Sequence, residues 1–225
     1  MSVLKIAEKN NGIITVKIAE DNGIHRSRLS EAAAAGTLVR VAPGIYQIAD
    51  SWEDEYAITQ LRFPQGIFSH GTALYLHDLT DRTPAQLMMT FPRSYNATAA
   101  RTAGVIVKTC SSQVLNLGRT SLTSPIGNKV NAYDVERTLC DMLRGQIAVD
   151  TQIVNPAFKA YMRFPGKSVH KLLTYAKQLG VEKKSVIIWR CCYENNQRNA
   201  AKSTYQSTRK SSKCFSATNA PRLYS

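Results

Sequence analysis

The sequence predicts a mixed α+β fold in three parts, and three observations carry that expectation. The first fifty residues read as three short helices followed by a β-hairpin, residues 51–185 interleave helical and strand-like periodicities, and the final stretch is almost without aliphatic side chains. The composition permits this, since 44% of the 225 residues are apolar and 20% charged. That is an ordinary globular balance, which excludes collagen, coiled coil and wholesale disorder. No apolar run approaches the roughly 18 residues of a membrane span, and the opening MSVLKIAEKNNG lacks a signal-peptide core. Five cysteines, an odd number without regular spacing, argue against a disulfide framework. A cytoplasmic protein with no membrane partner is expected.

In the first part, Val3, Leu4, Ile6 and Ala7 have helical spacing, and Asn10-Asn11-Gly12 ends that segment. Thr15 suits the N-cap of a second helix that buries Val16, Ile18 and Ala19 and stops at Asp21-Asn22-Gly23. A third helix spans about 25–35, with Gly36 just past its end. Residues 38–41 and 45–48 then alternate around Ala42-Pro43-Gly44-Ile45, where Pro followed by Gly fits the centre of a type II turn. Pairing Val41 with Tyr46 places Val39, Val41, Tyr46 and Ile48 on one face of the hairpin, and Arg40 and Gln47 on the other. Helix, helix, helix, hairpin is the order of a winged helix. Ala19, Gly23 and Leu29, spaced A-x3-G-x5-L, supply the small crossing residue, the turn residue and the aliphatic anchor of a helix-turn-helix.

Residues 51–62 predict a joining helix with Ser51 as N-cap and Trp52, Tyr56 and Ile58 available for burial. Beyond Phe63 the patterns give a helix at about 69–79, a strand at 86–91, and strand-like stretches at 103–109, 113–117 and 129–133. Helices follow at 134–145, 150–163 and 167–180. The expected boundaries are a winged helix-turn-helix DNA-binding domain at 1–50, a mixed α/β domain at 51–185 and a basic tail at 186–225. Within the tail, residues 194–225 contain Leu223 but no other Leu, Ile, Val or Met. Burial cannot offset the ordering entropy of such a segment, so it is expected to be disordered or ordered only by a partner. Residues 186–225 hold +6 of the formal +13, so the net charge points less strongly to a polyanion than its total suggests.

With Leu29, Ala32 and Ala33 turned inward, a helical wheel places Ser27, Ser30, Glu31 and Ala34 outward, flanked by Arg28 and Arg26. Arginine pairs bidentately with guanine and serine reaches bases or phosphates, so the candidate DNA-binding set is Arg26, Ser27, Arg28 and Ser30. Arg40 of the hairpin adds a phosphate or minor-groove contact. Solvated surface is the plain alternative for each. Glu31 is out of place in a groove unless it accepts from a cytosine amine or turns away.

His70 and His77, seven apart, are too widely spaced to share one ion, and hydrogen-bonded histidines with Ser69 capping the helix are expected. Cys140 is expected to be buried. Asp134, Glu136 and Asp141 diverge on a helix, which favours salt bridges to Arg137 or Arg144 over a nuclease cluster. No Cys-x-x-Cys pair, glycine-rich phosphate loop or serine elbow occurs. No catalytic residue, cofactor or metal is assigned.

The run from Phe68 to Asp81 (FSHGTALYLHDLTD), then Glu136-Arg137-Thr138-Leu139-Cys140-Asp141, then residues 150–161, resembles the second domain of AbiEi-type antitoxins. The segment ending Pro43-Gly44-Ile45-Tyr46 is similar to their N-terminal DNA-binding domain, so the likeness spans residues 1 to about 185. It implies a repressor of its own operon in a type IV toxin–antitoxin, or abortive-infection, system. The implied partners are operator DNA and a nucleotidyltransferase-like toxin antagonised directly or functionally; because one recognition helix reads only a few base pairs, tight binding is expected to need a homodimer on an inverted repeat. Two features depart from the family. Gly71 stands where an acidic residue is frequent, and Ile187-Ile188-Trp189 runs into the aliphatic-poor tail as a frameshift would produce. Two other readings are a DNA-targeted nuclease, or other enzyme, using acidic groups of the second domain, and a protein-interaction module with a vestigial winged helix.

Overall fold

The computed structural model describes residues 2–144 and 151–187 and is mixed α+β, with two sheets. Its first elements are α1 (Val3–Lys9), β1 (Ile13–Thr15), α2 (Val16–Asp21), α3 (Ser27–Ala34), β2 (Leu38–Ala42) and β3 (Ile45–Ile48). The strands form an antiparallel sheet in the order β1-β3-β2. This is a winged helix with one strand more than expected, because β1 is only three residues long and is defined by its partner β3. Thr15 caps α2, its Oγ1 accepting from the Ile18 N–H at 3.1 Å. Both helices of the pair close through a glycine with positive φ, Gly23 at +73° and Gly36 at +75°. The Ile24 N–H then reaches the Ala19 carbonyl and the Thr37 N–H the Ala32 carbonyl. Ala19 and Leu29 are fully buried, in a core that also contains Ile6, Ile14, Leu38 and Tyr46.

The hairpin differs from expectation in register. Arg40 pairs with Tyr46 and Ala42 with Ile45, with a bulge at the intervening Val41. Leu38, Arg40, Tyr46 and Ile48 therefore share a face, Gln47 is buried, and Val39 is exposed. The predicted pairing of Val41 with Tyr46, and the placement of Arg40 beside Gln47, are thus corrected.

The chain continues through α4 (Glu55–Arg62), β4 (Ile67–Phe68), α5 (His70–Leu76), β5 (Met88–Pro92), α6 (Thr98–Thr102) and β6 (Ile106–Cys110). Next come α7 (Ser112–Leu115), β7 (Arg119–Thr123), β8 (Lys129–Tyr133), α8 (Val135–Leu143), α9 (Thr151–Arg163) and α10 (Val169–Gln178). The second sheet has the order β6-β5-β4-β8-β7, with β5 parallel to β6, β4 parallel to β8, and the other pairs antiparallel. One core joins Phe68, Met89, Phe91 and Val130 of the sheet to Tyr56 and Phe63 from α4 and its end. A second packs α8 against α5, α9 and α10 through Leu74, Leu139, Phe158 and Leu172.

Asp54, not Ser51, caps α4: its Oδ1 accepts from the Ala57 N–H at 3.0 Å. Trp52 is 85% exposed rather than buried. The carboxylate of Asp54 also bonds Ser124 and Asn128, and Ile13, Ala42 and Ile45 of the first sheet pack on Ala57 and Ile58 of α4. Residues 113–117, expected as a strand, fall largely in helix α7. Of the expected tail, Val186 and Ile187 are exposed, and Val186 is helical; residues 188–225 lie outside the described residues. No helix among the described residues is long and apolar enough to cross a membrane.

Candidate nucleic-acid interface

The outward face of α3 is set by Leu29. Its side chain is fully buried, while Ala32 and Ala33 are half-buried. Helical geometry then turns Ser27, Arg28, Ser30, Glu31 and Ala34 to solvent, and all five are exposed. Arg26 occupies the N-cap position and is exposed too. Four of the five candidate residues therefore meet on one helix. Arg40 stands apart on the hairpin, exposed, and its side chain makes no ion pair or hydrogen bond among the described residues. The tip of that hairpin is tied to α2, because the Val16 N–H donates to the Gly44 carbonyl at 2.9 Å.

Two contributors, His25 and Lys17, escape a reading of the sequence alone, and the partner of a third, Glu31, is not given by it. His25 serves as the side-chain cap of α3: its Nδ1 accepts from the Ser27 N–H at 3.3 Å and lies 2.9 Å from the Ser27 hydroxyl. Histidine is an uncommon cap, so only its position two residues before Ser27 hints at this. Glu31 neither meets solvent alone nor turns away, for its Oε2 accepts from Arg28 Nη1 at 2.7 Å. Lys17, exposed on the first turn of α2, adds a cation beside the hairpin tip. An open cleft of about 600 Å³, lined by Val3, Leu4 and Ile24 as well as Arg28 and Glu31, runs between the start of α1 and α3.

The second region's ionisable groups are bound up in its interior. Arg137 is fully buried, with Nε donating to Asp141 Oδ2 at 2.9 Å and Nη1 to the carbonyls of Val114 and Leu117. Its guanidinium lies 4.3 Å from the centre of the Tyr133 ring. Gly118 makes room for it, since a Cβ there would come within 2.6 Å of Arg137 Cβ. Burial raises the Asp141 carboxyl against the pull of Arg137, and Arg144 stands 3.8 Å away. Asp134 caps α8 and takes Lys171 Nζ at 3.0 Å, while Glu136 accepts from the Tyr161 hydroxyl at 2.9 Å and the Ser168 N–H at 3.1 Å. Asp141 pairs with the arginines as expected, but Asp134 and Glu136 do not: they share Lys171, whose Nζ lies 3.0 and 3.6 Å from them.

His77 Nε2 donates to the Tyr133 carbonyl at 2.8 Å, and His70 Nδ1 lies 3.0 Å from Ser69 Oγ. Ser69 does not cap α5 through its side chain; its Oγ accepts from the Thr90 hydroxyl at 2.9 Å instead. Burial pushes the Cys140 thiol up to about 12, which leaves it protonated and unreactive at neutral pH. Among the described residues, no group of three or more His, Cys, Asp and Glu is arranged to hold a metal ion.

Residues 1–49 match the family model described as "Transcriptional regulator, AbiEi antitoxin". That match covers the winged helix and its α3 face. A solved structure, that of the RV2827C protein from Mycobacterium tuberculosis, superposes with a TM-score of 0.52 at 12% identity, covering 84% of this chain and 80% of that one. The likeness is one of fold. No curated protein matches the sequence.

Proposed function

We propose that the chain is a sequence-specific DNA-binding transcriptional repressor that doubles as the antitoxin of a toxin–antitoxin system in the cytoplasm. The observation that carries this reading is the α3 face: an exposed row of Arg26, Ser27, Arg28 and Ser30, held outward by buried Leu29, in a segment that matches a transcriptional-regulator family. Such a row has donors for guanine and for phosphate and no large apolar group to exclude it from a major groove. Residues 1–50 form the DNA-binding unit, with Arg40 and Lys17 at phosphates. Residues 51–185 supply self-association on an inverted repeat and antagonism of a nucleotidyltransferase-like toxin.

Fluorescence anisotropy with a duplex from the chain's own upstream region, against a scrambled duplex, tests this. Arg28→Ala and Ser27→Ala should each lower operator affinity more than random-duplex affinity, by about 1–3 kcal/mol for each base edge no longer read. Full discrimination in both variants would move the DNA surface away from α3. Growth rescue on co-expression with the adjacent toxin gene tests the antitoxin half.

A further inference from the structure

The α3 face carries one acidic side chain, and its geometry is specific. Glu31 lies one turn beyond Arg28, and its Oε2 accepts from Arg28 Nη1 at 2.7 Å, with the two side chains 57% and 67% exposed. An ion pair this exposed adds little to the stability of a helix. Nor does α3 depend on it, being closed at Gly36, capped by His25 and anchored by Leu29.

What the pair does is orient the guanidinium. A free arginine side chain samples many rotamers, and a carboxylate bonded at Nη1 biases them toward one orientation of the group. The Nε–Nη2 edge then has no partner among the described residues, and it presents two donors in the fork that suits guanine O6 and N7.

A carboxylate on this face also opposes every phosphate backbone alike, whereas a pre-set arginine is rewarded only where guanine stands opposite it. Repulsion that ignores sequence, joined to attraction that depends on it, widens the gap between operator and random DNA. Residues 1–185 alone carry a net +7, which attracts polyanions without regard to sequence, and that gap needs widening. We infer that Glu31 is a positioning residue for Arg28 that sets specificity, and that the operator base pair facing Arg28 is G·C. The inference rests on the proposal that α3 reads DNA.

The experiment uses the full chain as wild type, Glu31→Gln, Arg28→Ala and the double variant. Each is titrated with the upstream duplex and with its scrambled counterpart. Glu31→Gln should bind the scrambled duplex about two- to fivefold more tightly while losing about five- to tenfold of the operator-over-scrambled ratio. In the Arg28→Ala background the same substitution should leave the ratio unchanged. Replacing operator guanines one at a time by 7-deazaguanine should find one position that weakens wild type and does not affect Arg28→Ala.

If Glu31→Gln strengthened both duplexes equally, the carboxylate would be only a repulsive charge and the inference would be overturned. Loss of the ratio in Arg28→Ala, combined with no change in Glu31→Gln, would overturn it while leaving α3 as the reader. An unchanged ratio in Arg28→Ala would remove that reading, and the inference with it.

Discussion

Among the described residues, Arg28–Glu31 on α3 and Arg137–Asp141 on α8 are both arginine–carboxylate pairs within one helix, one in each region, and their surroundings put them to opposite uses. Arg28 and Glu31 on α3 are mostly in water, whereas Arg137 and Asp141 on α8 have side chains 0% and 5% exposed. Arg28 makes one bond and keeps one edge open. Arg137 has Nε and Nη1 engaged and its face against Tyr133, and only Nη2 lacks a partner. The same pair of functional groups thus becomes scaffold when the backbone around it completes the arginine, and stays available to a partner when it does not. Burial, more than residue type, decides between the two.

The largest expected effect is on the scaffold side. Arg137→Ala would leave buried Asp141 with only Arg144, 3.8 Å away, and the carbonyls of Val114 and Leu117 without their donor, a loss of about 3–5 kcal/mol in urea-induced unfolding. Removing Asp141 as well should restore part of it, because no unpaired charge then remains. Arg28→Ala should change the unfolding free energy by less than about 0.5 kcal/mol. Equal losses at the two sites would collapse the distinction between them.

How far these roles are legible in the sequence depends on the range of the interactions that set them. Thr15, Gly23, Gly36 and the Pro43-Gly44 turn are readable because each answers to backbone geometry within a few residues of itself. The third strand and the bulge at Val41 are not, since both exist only through pairing with β3. Ser51 and Asp54 are equally good caps by type. What selects Asp54 is a second set of partners, Ser124 and Asn128, at sequence separations of 70 and 74. In the site, the outward face of α3 follows from Leu29 alone, but the His25 cap and the Arg28–Glu31 bond are rotamer choices that periodicity does not encode. The salt bridge of Asp141 is readable from spacing. Its burial is not, because that depends on α7, a segment whose alternation reads as strand.

Arg40 extends the comparison to an arginine whose side chain has no internal partner among the described residues, exposed on the hairpin opposite Tyr46. A point charge that rests on phosphate should weaken operator and random duplex alike when removed. Arg40→Ala should also make the slope of log K against log salt shallower by about 0.9 for each phosphate that Arg40 neutralises. A change confined to the operator would instead make Arg40 a base reader, and the bulge at Val41 would then be what aims it.

The last expected effect comes from a half-buried group with no counter-charge among the described residues. His70 adopts a left-handed backbone with φ of +51°, and burial first, then the cations of Lys108, Arg137 and Arg144, push it from its ordinary 6.5 down to about 4. The unfolded chain therefore takes up this proton at a higher pH than the folded one. Between about 6.5 and 4 the unfolded state binds more protons, so stability falls as the pH falls through that window, and below it the contribution of His70 no longer changes. Asparagine tolerates the left-handed region and does not titrate. His70→Asn should accordingly run parallel to wild type in Tm above pH 6.5, and lose less than wild type as the pH drops toward 4. Thermal unfolding at half-unit pH steps would read the difference. Parallel curves across the whole window would mean that the interior around Arg137 leaves His70 as free to ionise as water does, and the contrast between the closed second region and the open face of α3 would lose its electrostatic half.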